Sequence, residues 1–172
     1  FSLPVTIIFV VFVTNSFNLM DGSDGVAAGL VLIAILGIQI VAILFSGFIL
    51  QNIIFALVSS IIPLLYINLL KSSQHKVFLG DNGSLFLGFI VAWLLIYLIQ
   101  NNNNVNLPFS IVLWIIAIPI FDTICVIIYR IKKCTNPFAP DRNHLHHILH
   151  KVGFSVKLNF IIIMSFGLAL LM

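Results

Sequence analysis

Charged residues are scarce in this chain, and glutamate is absent altogether. Only 8% of the 172 residues are charged, whereas 61% are hydrophobic. Soluble domains carry about 25% charged residues, so this composition excludes an ordinary soluble fold. The apolar residues form continuous runs rather than the alternating pattern of a membrane β-barrel. The composition therefore predicts an all-α integral membrane protein, a polytopic bundle of transmembrane helices.

Cysteine is also rare. The two cysteines, Cys125 and Cys134, form no CxxC pair. The sequence therefore supports neither a disulfide framework nor a zinc site built from cysteine.

The apolar runs predict about six spans or part-spans, since a full span needs about 20 apolar residues. The predicted segments are Phe1–Val13, Val26–Phe45, Ile53–Leu70, Ser84–Ile99, Pro108–Tyr129 and Leu158–Met172. Pro63 and Pro119 should distort the third and fifth segments, because proline removes a helical hydrogen bond. The chain starts and ends inside apolar runs, so we expect residues 1–172 to be one transmembrane domain truncated at both ends.

Basic residues lie in alternate loops. Lys71 and Lys76 fall in one loop, and six further Lys and Arg fall in or beside the loop that follows Tyr129. The intervening loops, near 46–52 and 100–106, contain no Lys or Arg. The positive-inside rule therefore predicts that the basic loops, together with the stretch 15–25, face the cytoplasm.

Four of the five aspartates lie on that predicted cytoplasmic face. They are Asp21 and Asp24 in NSFNLMDGSDG, Asp81 in FLGDNGS and Asp141 in DRNHLHH. Asp122 lies within the fifth predicted span, roughly 10 Å from its cytoplasmic end. Asp24 could simply cap a helix, but capping does not explain paired acids beside glycines at several places on one face. Carboxylates next to glycines suit a divalent cation and a phosphate, and the amides of Asn15 and Asn18 can join such a set.

A cationic cluster follows the fifth span. Arg142, His144, His146 and His147 fall within six residues. On a helix, His144 and His147 share one face. Such groups suit an anionic diphosphate or sugar hydroxyls, although histidine is also a common metal ligand. Membrane di-iron enzymes use several histidine boxes, and only His75 lies outside the stretch 144–150 here.

Four motifs occur in a fixed order: NSFNLMDGSDGVAAG, FLGDNGSLFLG, PIFDT and DRNHLHHIL. Together they resemble the polyprenyl-phosphate N-acetylhexosamine-1-phosphate transferases, a family that includes the phospho-MurNAc-pentapeptide translocase. The resemblance implies transfer of a UDP-activated N-acetylhexosamine 1-phosphate, most simply GlcNAc-1-phosphate, to polyprenyl (undecaprenyl) phosphate with release of UMP. That reaction initiates cell-envelope polysaccharides such as O-antigen.

The resemblance also implies the cellular setting. It implies Mg²⁺, with Mn²⁺ as a substitute, and a bacterial cytoplasmic membrane with the active face in the cytoplasm. It leaves a homodimer open and implies no nucleic-acid partner.

Residue roles follow from the matching motifs. Asp81 and Asn18 match metal-binding positions, and Asp81, Asp21 and Asp24 form the catalytic acidic set. Substrate binding is assigned to Asn15, Asn18, Arg142, His144, His146 and His147. Asp122 is expected to brace the histidine loop, since an ionisable residue inside a span needs a partner.

Two departures from the family pattern matter. An adjacent aspartate pair of the family is absent and would lie upstream of Phe1, so we expect this fragment alone to be inactive. The sequence His-Leu-His-His replaces the run of three histidines typical of the translocase branch, which favours a UDP-GlcNAc-type substrate. The alternatives are translocase-type activity, a transporter and a non-catalytic membrane relative. A CDP-alcohol phosphotransferase is disfavoured, because its motif has an Ala-Arg pair soon after the first Asp-Gly, and residues 23–29 contain no Arg.

Overall fold

A computed structural model describes residues 2–21, 25–45, 51–70, 76–77, 79–100, 107–136 and 143–172. All regular secondary structure among them is α-helical, which confirms the predicted fold class. The helices are α1 (Leu3–Leu19), α2 (Val26–Phe45), α3 (Gln51–Leu70), α4 (Gly80–Gln100), α5 (Phe109–Ile115), α6 (Ala117–Lys132), α7 (Leu145–Lys151) and α8 (Val156–Ala169).

Three of these helices, α2, α3 and α4, are long and apolar enough to cross a membrane. The bent pair α5 and α6 can be counted as a fourth span, and α1 and α8 are shorter apolar helices. These six segments correspond to the six predicted spans and part-spans. Many large apolar side chains, such as those of Leu3, Ile8 and Phe55, are exposed, as expected for a surface that meets hydrocarbon.

Two helix boundaries differ from the prediction in a way that shapes the site. Helix α1 continues past Val13 to Leu19, because polar side chains near its end bond to the carbonyls of the preceding turn. Asn15 donates to the Val11 carbonyl at 2.8 Å, and Ser16 donates to the Phe12 carbonyl at 2.8 Å. Helix α4 begins at Gly80, before the predicted Ser84. Asn18 and Asp81 therefore lie on helical turns rather than in loops.

Pro119 produces a break rather than a kink. Helices α5 and α6 meet at an angle of 82° around Ile116. A proline at 119 cannot donate to the Ile115 carbonyl, and its ring crowds that carbonyl. The helix restarts at Ala117, which places Pro119 in a first turn where backbone N–H groups have no helical partner anyway. Pro63, by contrast, lies inside α3, which continues to Leu70.

Helix α2 lies at the centre of the packing and contacts α1, α3, α4, α5 and α8. Antiparallel helices α1 and α4 pack most closely, at Gly88. A Cβ added there would lie 3.0 Å from the Cα and 3.0 Å from the carbonyl oxygen of Thr14. This close crossing brings the C-terminal end of α1 next to the N-terminal end of α4.

Candidate active site

The first functional cluster forms where α1 ends and α4 begins. The Asn18 side-chain amide donates to Ser84 Oγ at 2.8 Å and to Asp81 Oδ1 at 3.3 Å. Asp21 lies two residues after the end of α1 and is half-buried. We call Asn18, Asp21, Asp81 and Ser84 the acidic cluster. It joins two motifs that lie 63 residues apart in the sequence.

The start of α4 shapes this cluster. Gly80 has a φ of +63°, a left-handed conformation that glycine adopts readily. Its backbone N–H donates a hydrogen bond to the Asp21 carboxylate. Asp81 lies in the first turn of α4, where the partial positive charge of the helix N-terminus favours a carboxylate.

The negative charges of the two carboxylates in the acidic cluster repel each other. Burial raises the pKa of Asp21 to about 6, and the negative charge of Asp81 adds to this increase. The hydrogen bond from the Gly80 amide offsets part of it. A cation bound between the two aspartates would remove the repulsion, and it would favour the ionised form of Asp21.

The donor chemistry of the acidic cluster fits Mg²⁺. Asp21 and Asp81 supply carboxylate oxygens, and Asn18 has an amide oxygen. Mg²⁺ typically takes one or two protein carboxylates together with water and substrate phosphates. Within the described ranges, no group of three or more His, Cys, Asp or Glu side chains could hold a metal. A Mg²⁺ ion bound here would take its remaining ligands from water and substrate.

The second functional cluster joins α6 to α7. The Nδ1 atom of His144 lies 2.7 Å from Asp122 Oδ2, and the backbone N–H of Leu145 donates to Asp122 Oδ1 at 2.7 Å. Both side chains are largely buried. One carboxylate thus binds both a side chain and the backbone at the start of α7. We call Asp122, His144, His146 and His147 the histidine cluster.

His146 is the most buried titratable group of this cluster, with 2% of its surface exposed. Neither ring nitrogen has a hydrogen-bond partner among the described residues. Its ring centroid lies 4.1 Å from that of His147, and it stacks against His144 at 6.1 Å. Burial lowers the pKa of His146 to about 4, and the neighbouring histidines act in the same direction against Asp122. The ring is therefore neutral at pH 7.

Three predicted site residues remain to be placed. Asn15 is exposed on α1, and its side chain donates to the carbonyl of its own helix rather than to the acidic cluster. Asp24 and Arg142 lie outside the described residues.

Ser84 was missed as a site residue. Sequence reasoning placed it at the start of a span, although it lies in the FLGDNGS motif three residues after Asp81. That spacing puts both residues on one face of a helix, and this was the available signal.

A cavity of about 590 Å³ lies beside the histidine cluster, between α6, α7 and α8. Its lining is mainly apolar, and Asp122 and Asn143 contribute polar groups. The same Asp122 carboxylate therefore contacts His144 and borders an apolar space.

Residues 1–99 match the family model described as Glycosyl transferase family 4. The chain belongs to glycosyl transferase family 4. This confirms the resemblance inferred from the four motifs. The matched region contains the whole acidic cluster of this family 4 chain.

Named relatives extend the similarity beyond that region. The undecaprenyl-phosphate alpha-N-acetylglucosaminyl 1-phosphate transferase of Yersinia pestis is 37% identical over 164 residues, which cover 95% of this chain and 45% of the relative. The protein of the same name from Escherichia coli (strain K12) is 35% identical over 150 residues, 87% of this chain and 41% of the relative. The family 4 chain thus spans less than half the length of the curated relatives it matches.

Proposed function

We propose that the complete protein containing this chain transfers N-acetylglucosamine 1-phosphate from UDP-N-acetylglucosamine to undecaprenyl phosphate and releases UMP. The observation that carries the proposal is the contact between Asn18 and Asp81 in a family 4 chain. It brings two distant motifs together into one oxygen-rich site next to a half-buried carboxylate. The relatives' names give the sugar and the lipid.

The reaction is a phosphoryl transfer. A phosphate oxygen of the lipid attacks the β-phosphorus of the UDP-sugar. The bond from that phosphorus to the oxygen bridging the two phosphates breaks, and UMP leaves with the electron pair. The product is a lipid diphosphate that carries the sugar. Such reactions depend mainly on positioning and on stabilising negative charge, which a rigid cluster at the end of a helix bundle can supply.

We assign Mg²⁺ binding to Asp81 and Asn18, with Asp21 beside them. When bound, the ion would neutralise charge on the diphosphate of the substrate. Hydrogen bonds between α1 and α4 hold Asn18 and Asp81 together, so these groups need little rearrangement to bind a ligand. Asp24 lies three residues after Asp21 and is assigned to the same acidic set.

We assign the diphosphate and the sugar to the histidine cluster and Arg142. Asp122 holds the start of α7 in place through His144 and Leu145. Because His146 is neutral at pH 7, it would act as a hydrogen-bonding group rather than as a cation. Its two unpartnered ring nitrogens are suited to a ligand that donates and accepts hydrogen bonds, such as a sugar with hydroxyl groups.

The charge pattern supports a cytoplasmic active face in a bacterial inner membrane. Both clusters lie close in the sequence to the chain's Lys and Arg residues. A cytoplasmic face gives access to a soluble nucleotide sugar, and the bilayer supplies the lipid substrate.

The test uses the complete protein expressed in membranes. UDP-GlcNAc, undecaprenyl phosphate and Mg²⁺ are supplied, and UMP release is followed. We expect release that requires both the lipid and the metal and that Asp81→Asn abolishes. A parallel reaction with UDP-MurNAc-pentapeptide tests the translocase alternative. Absence of UMP release with every UDP-N-acetylhexosamine, from folded protein, would refute the proposal.

A further inference from the structure

Ser84 is the least exposed member of the acidic cluster, with 1% of its surface accessible. Its hydroxyl lies 3.0 Å from the Gly80 carbonyl oxygen and 3.2 Å from the Asp81 carbonyl oxygen, one helical turn earlier. The Asn18 amide nitrogen approaches the same hydroxyl from α1 at 2.8 Å. Ser84 thus connects the backbone beneath Asp81 to the side chain of Asn18.

We propose that Ser84 is a positioning residue, which fixes the orientation of the Asn18 amide and thereby the arrangement of oxygen ligands around Asp81. This inference rests on the proposed function, because it concerns the site assigned to Mg²⁺. Ser84 itself is not assigned as a ligand.

The argument follows from the single proton of a hydroxyl group. Backbone carbonyl oxygens only accept hydrogen bonds, so the Ser84 hydroxyl donates its proton to the carbonyls of α4. Its lone pairs then face Asn18, which must present N–H rather than oxygen. The second neighbour of the Asn18 amide is Asp81 Oδ1, which as a carboxylate oxygen also only accepts. Both neighbours therefore require the same amide orientation.

This orientation decides which Asn18 atom is free for a ligand. The side-chain nitrogen is held by Ser84 and Asp81, and the described residues form no hydrogen bond to the Asn18 side-chain oxygen. That oxygen is the only atom of the amide that can bind a hard cation. A rotation of the amide by 180° would instead place its oxygen next to Asp81 Oδ1, where the two acceptors repel each other.

A serine that merely stabilised α4 would not need this geometry. Bonding to a carbonyl of the preceding turn uses only the hydroxyl proton and needs no partner for the lone pairs. Ser60 on α3 is an example, since its hydroxyl donates to the Leu57 carbonyl at 2.8 Å within its own helix. In Ser84 the lone pair is occupied by a side chain from a second helix.

The decisive experiment measures Mn²⁺ binding to the purified complete protein by electron paramagnetic resonance. Ser84→Ala should weaken Mn²⁺ binding about 10-fold to 100-fold, the usual range for loss of a group that orients a metal ligand. Ser84→Thr keeps the hydroxyl and should restore most of the affinity. Ser60→Ala removes a similarly bonded hydroxyl far from the cluster and should leave binding unchanged.

A double-mutant comparison separates positioning from general structure. If Ser84 acts through Asn18, Ser84→Ala has no further effect in an Asn18→Ala background. Unchanged binding in Ser84→Ala, or an equal loss with and without Asn18, would overturn the proposal. If Ser84→Ala does not fold, Ser84→Cys decides, since its thiol is a weak acceptor and should give intermediate affinity.

Failure of the proposed function can be distinguished from failure of this inference. Mn²⁺ binding is measured without substrates, so a protein that binds Mn²⁺ through Ser84 but releases no UMP supports the inference and refutes the activity. A protein that releases UMP but binds Mn²⁺ equally well without the Ser84 hydroxyl supports the activity and refutes the inference. Wild-type protein that binds no Mn²⁺ refutes the inference directly.

Discussion

The crossing of α1 and α4 at Gly88 offers a direct test of whether the acidic cluster depends on helix packing. In Gly88→Ala the new Cβ would lie 3.0 Å from both the Cα and the carbonyl oxygen of Thr14, and 3.1 Å from the Phe17 Cβ. Comfortable contacts between carbon atoms are about 3.5–4.0 Å, so the helices must separate by roughly 0.5–1 Å. Two of the three atoms belong to the backbone, so a side-chain rotation cannot relieve the clash.

The consequence for the site can be worked out from the helix geometry. Asn18 and Ser84 each lie one turn, about 6 Å, from this crossing on the same side. A separation of this size would stretch the 2.8 Å bond between them and carry the 3.3 Å contact with Asp81 beyond hydrogen-bonding distance. Misplacement by about 1 Å can reduce catalysis about 100-fold, so we expect kcat to fall about 10-fold to 100-fold. Overpacking should also lower the free energy of unfolding by about 1–3 kcal/mol.

The assay compares UMP release and thermal unfolding of the complete protein with those of a matched variant. Ala92→Gly alters the next turn of α4 and should cost about 1–2 kcal/mol through backbone entropy and the loss of one buried methyl group, without forcing the helices apart. We therefore expect Ala92→Gly to lose some stability but to retain near-normal kcat. Wild-type kcat in Gly88→Ala, or an equal loss of kcat in both variants, would refute the link between this crossing and the site.

Four further predictions follow from the two clusters. Asp81→Asn should abolish Mg²⁺-dependent UMP release while the protein stays folded, and retained turnover would remove Asp81 from the metal site. His147→Ala should raise KM for the UDP-sugar more than KM for the lipid phosphate, and equal increases would contradict a role in binding the nucleotide sugar. Asp122→Asn should weaken the hydrogen bonds to His144 and to the Leu145 backbone by about 1.5 kcal/mol, and so raise KM for the UDP-sugar roughly tenfold. An unchanged KM would show that the Asp122 contacts are not needed to bind the UDP-sugar. Because the pKa of Asp21 is raised to about 6, the folded protein binds this proton more tightly than the unfolded chain does. The free energy of unfolding of metal-free protein should therefore rise as the pH falls from above 6 towards 4. Asp21→Asn should remove that pH dependence in melting experiments.

Much of the architecture could be predicted because hydrophobic composition dominates it. Helix α2 has the predicted bounds, since its 20 residues form one apolar run, interrupted only by Gln39, that follows a glycine-rich segment. The end of α1 was placed too early, because Asn15 and Ser16 look like loop residues until their bonds to the preceding turn are seen. The 82° break near Pro119 could be predicted as a distortion only, because the angle depends on packing against other helices.

The motifs in the sequence predicted part of the candidate site, but not how its residues come together. The motifs identified Asn18 and Asp81 as residue types suited to a metal, but their contact across 63 residues depends on how α1 and α4 cross. Ser84 could not be recognised from residue type, because a serine at a helix start has many structural uses. Its spacing from Asp81 predicts a shared helix face, but its role depends on the direction of one hydrogen bond, which spacing does not specify.

A third helix supports the acidic cluster and explains how Asp81 is held in place. Asn68 is buried near the end of α3, and its side-chain oxygen accepts a hydrogen bond from the Val77 backbone N–H at 2.9 Å. This bond ties the backbone to α3 three residues before Gly80, where α4 begins. The position of Asp81 therefore depends on α1 through Asn18, on α3 through Asn68 and on its own helix through Ser84. Support from three directions suits the proposed reaction, whose rate would depend on placing charged groups to within fractions of an ångström. It also makes Asn68, which in sequence is only a polar residue in an apolar span, part of the structure that positions Asp81.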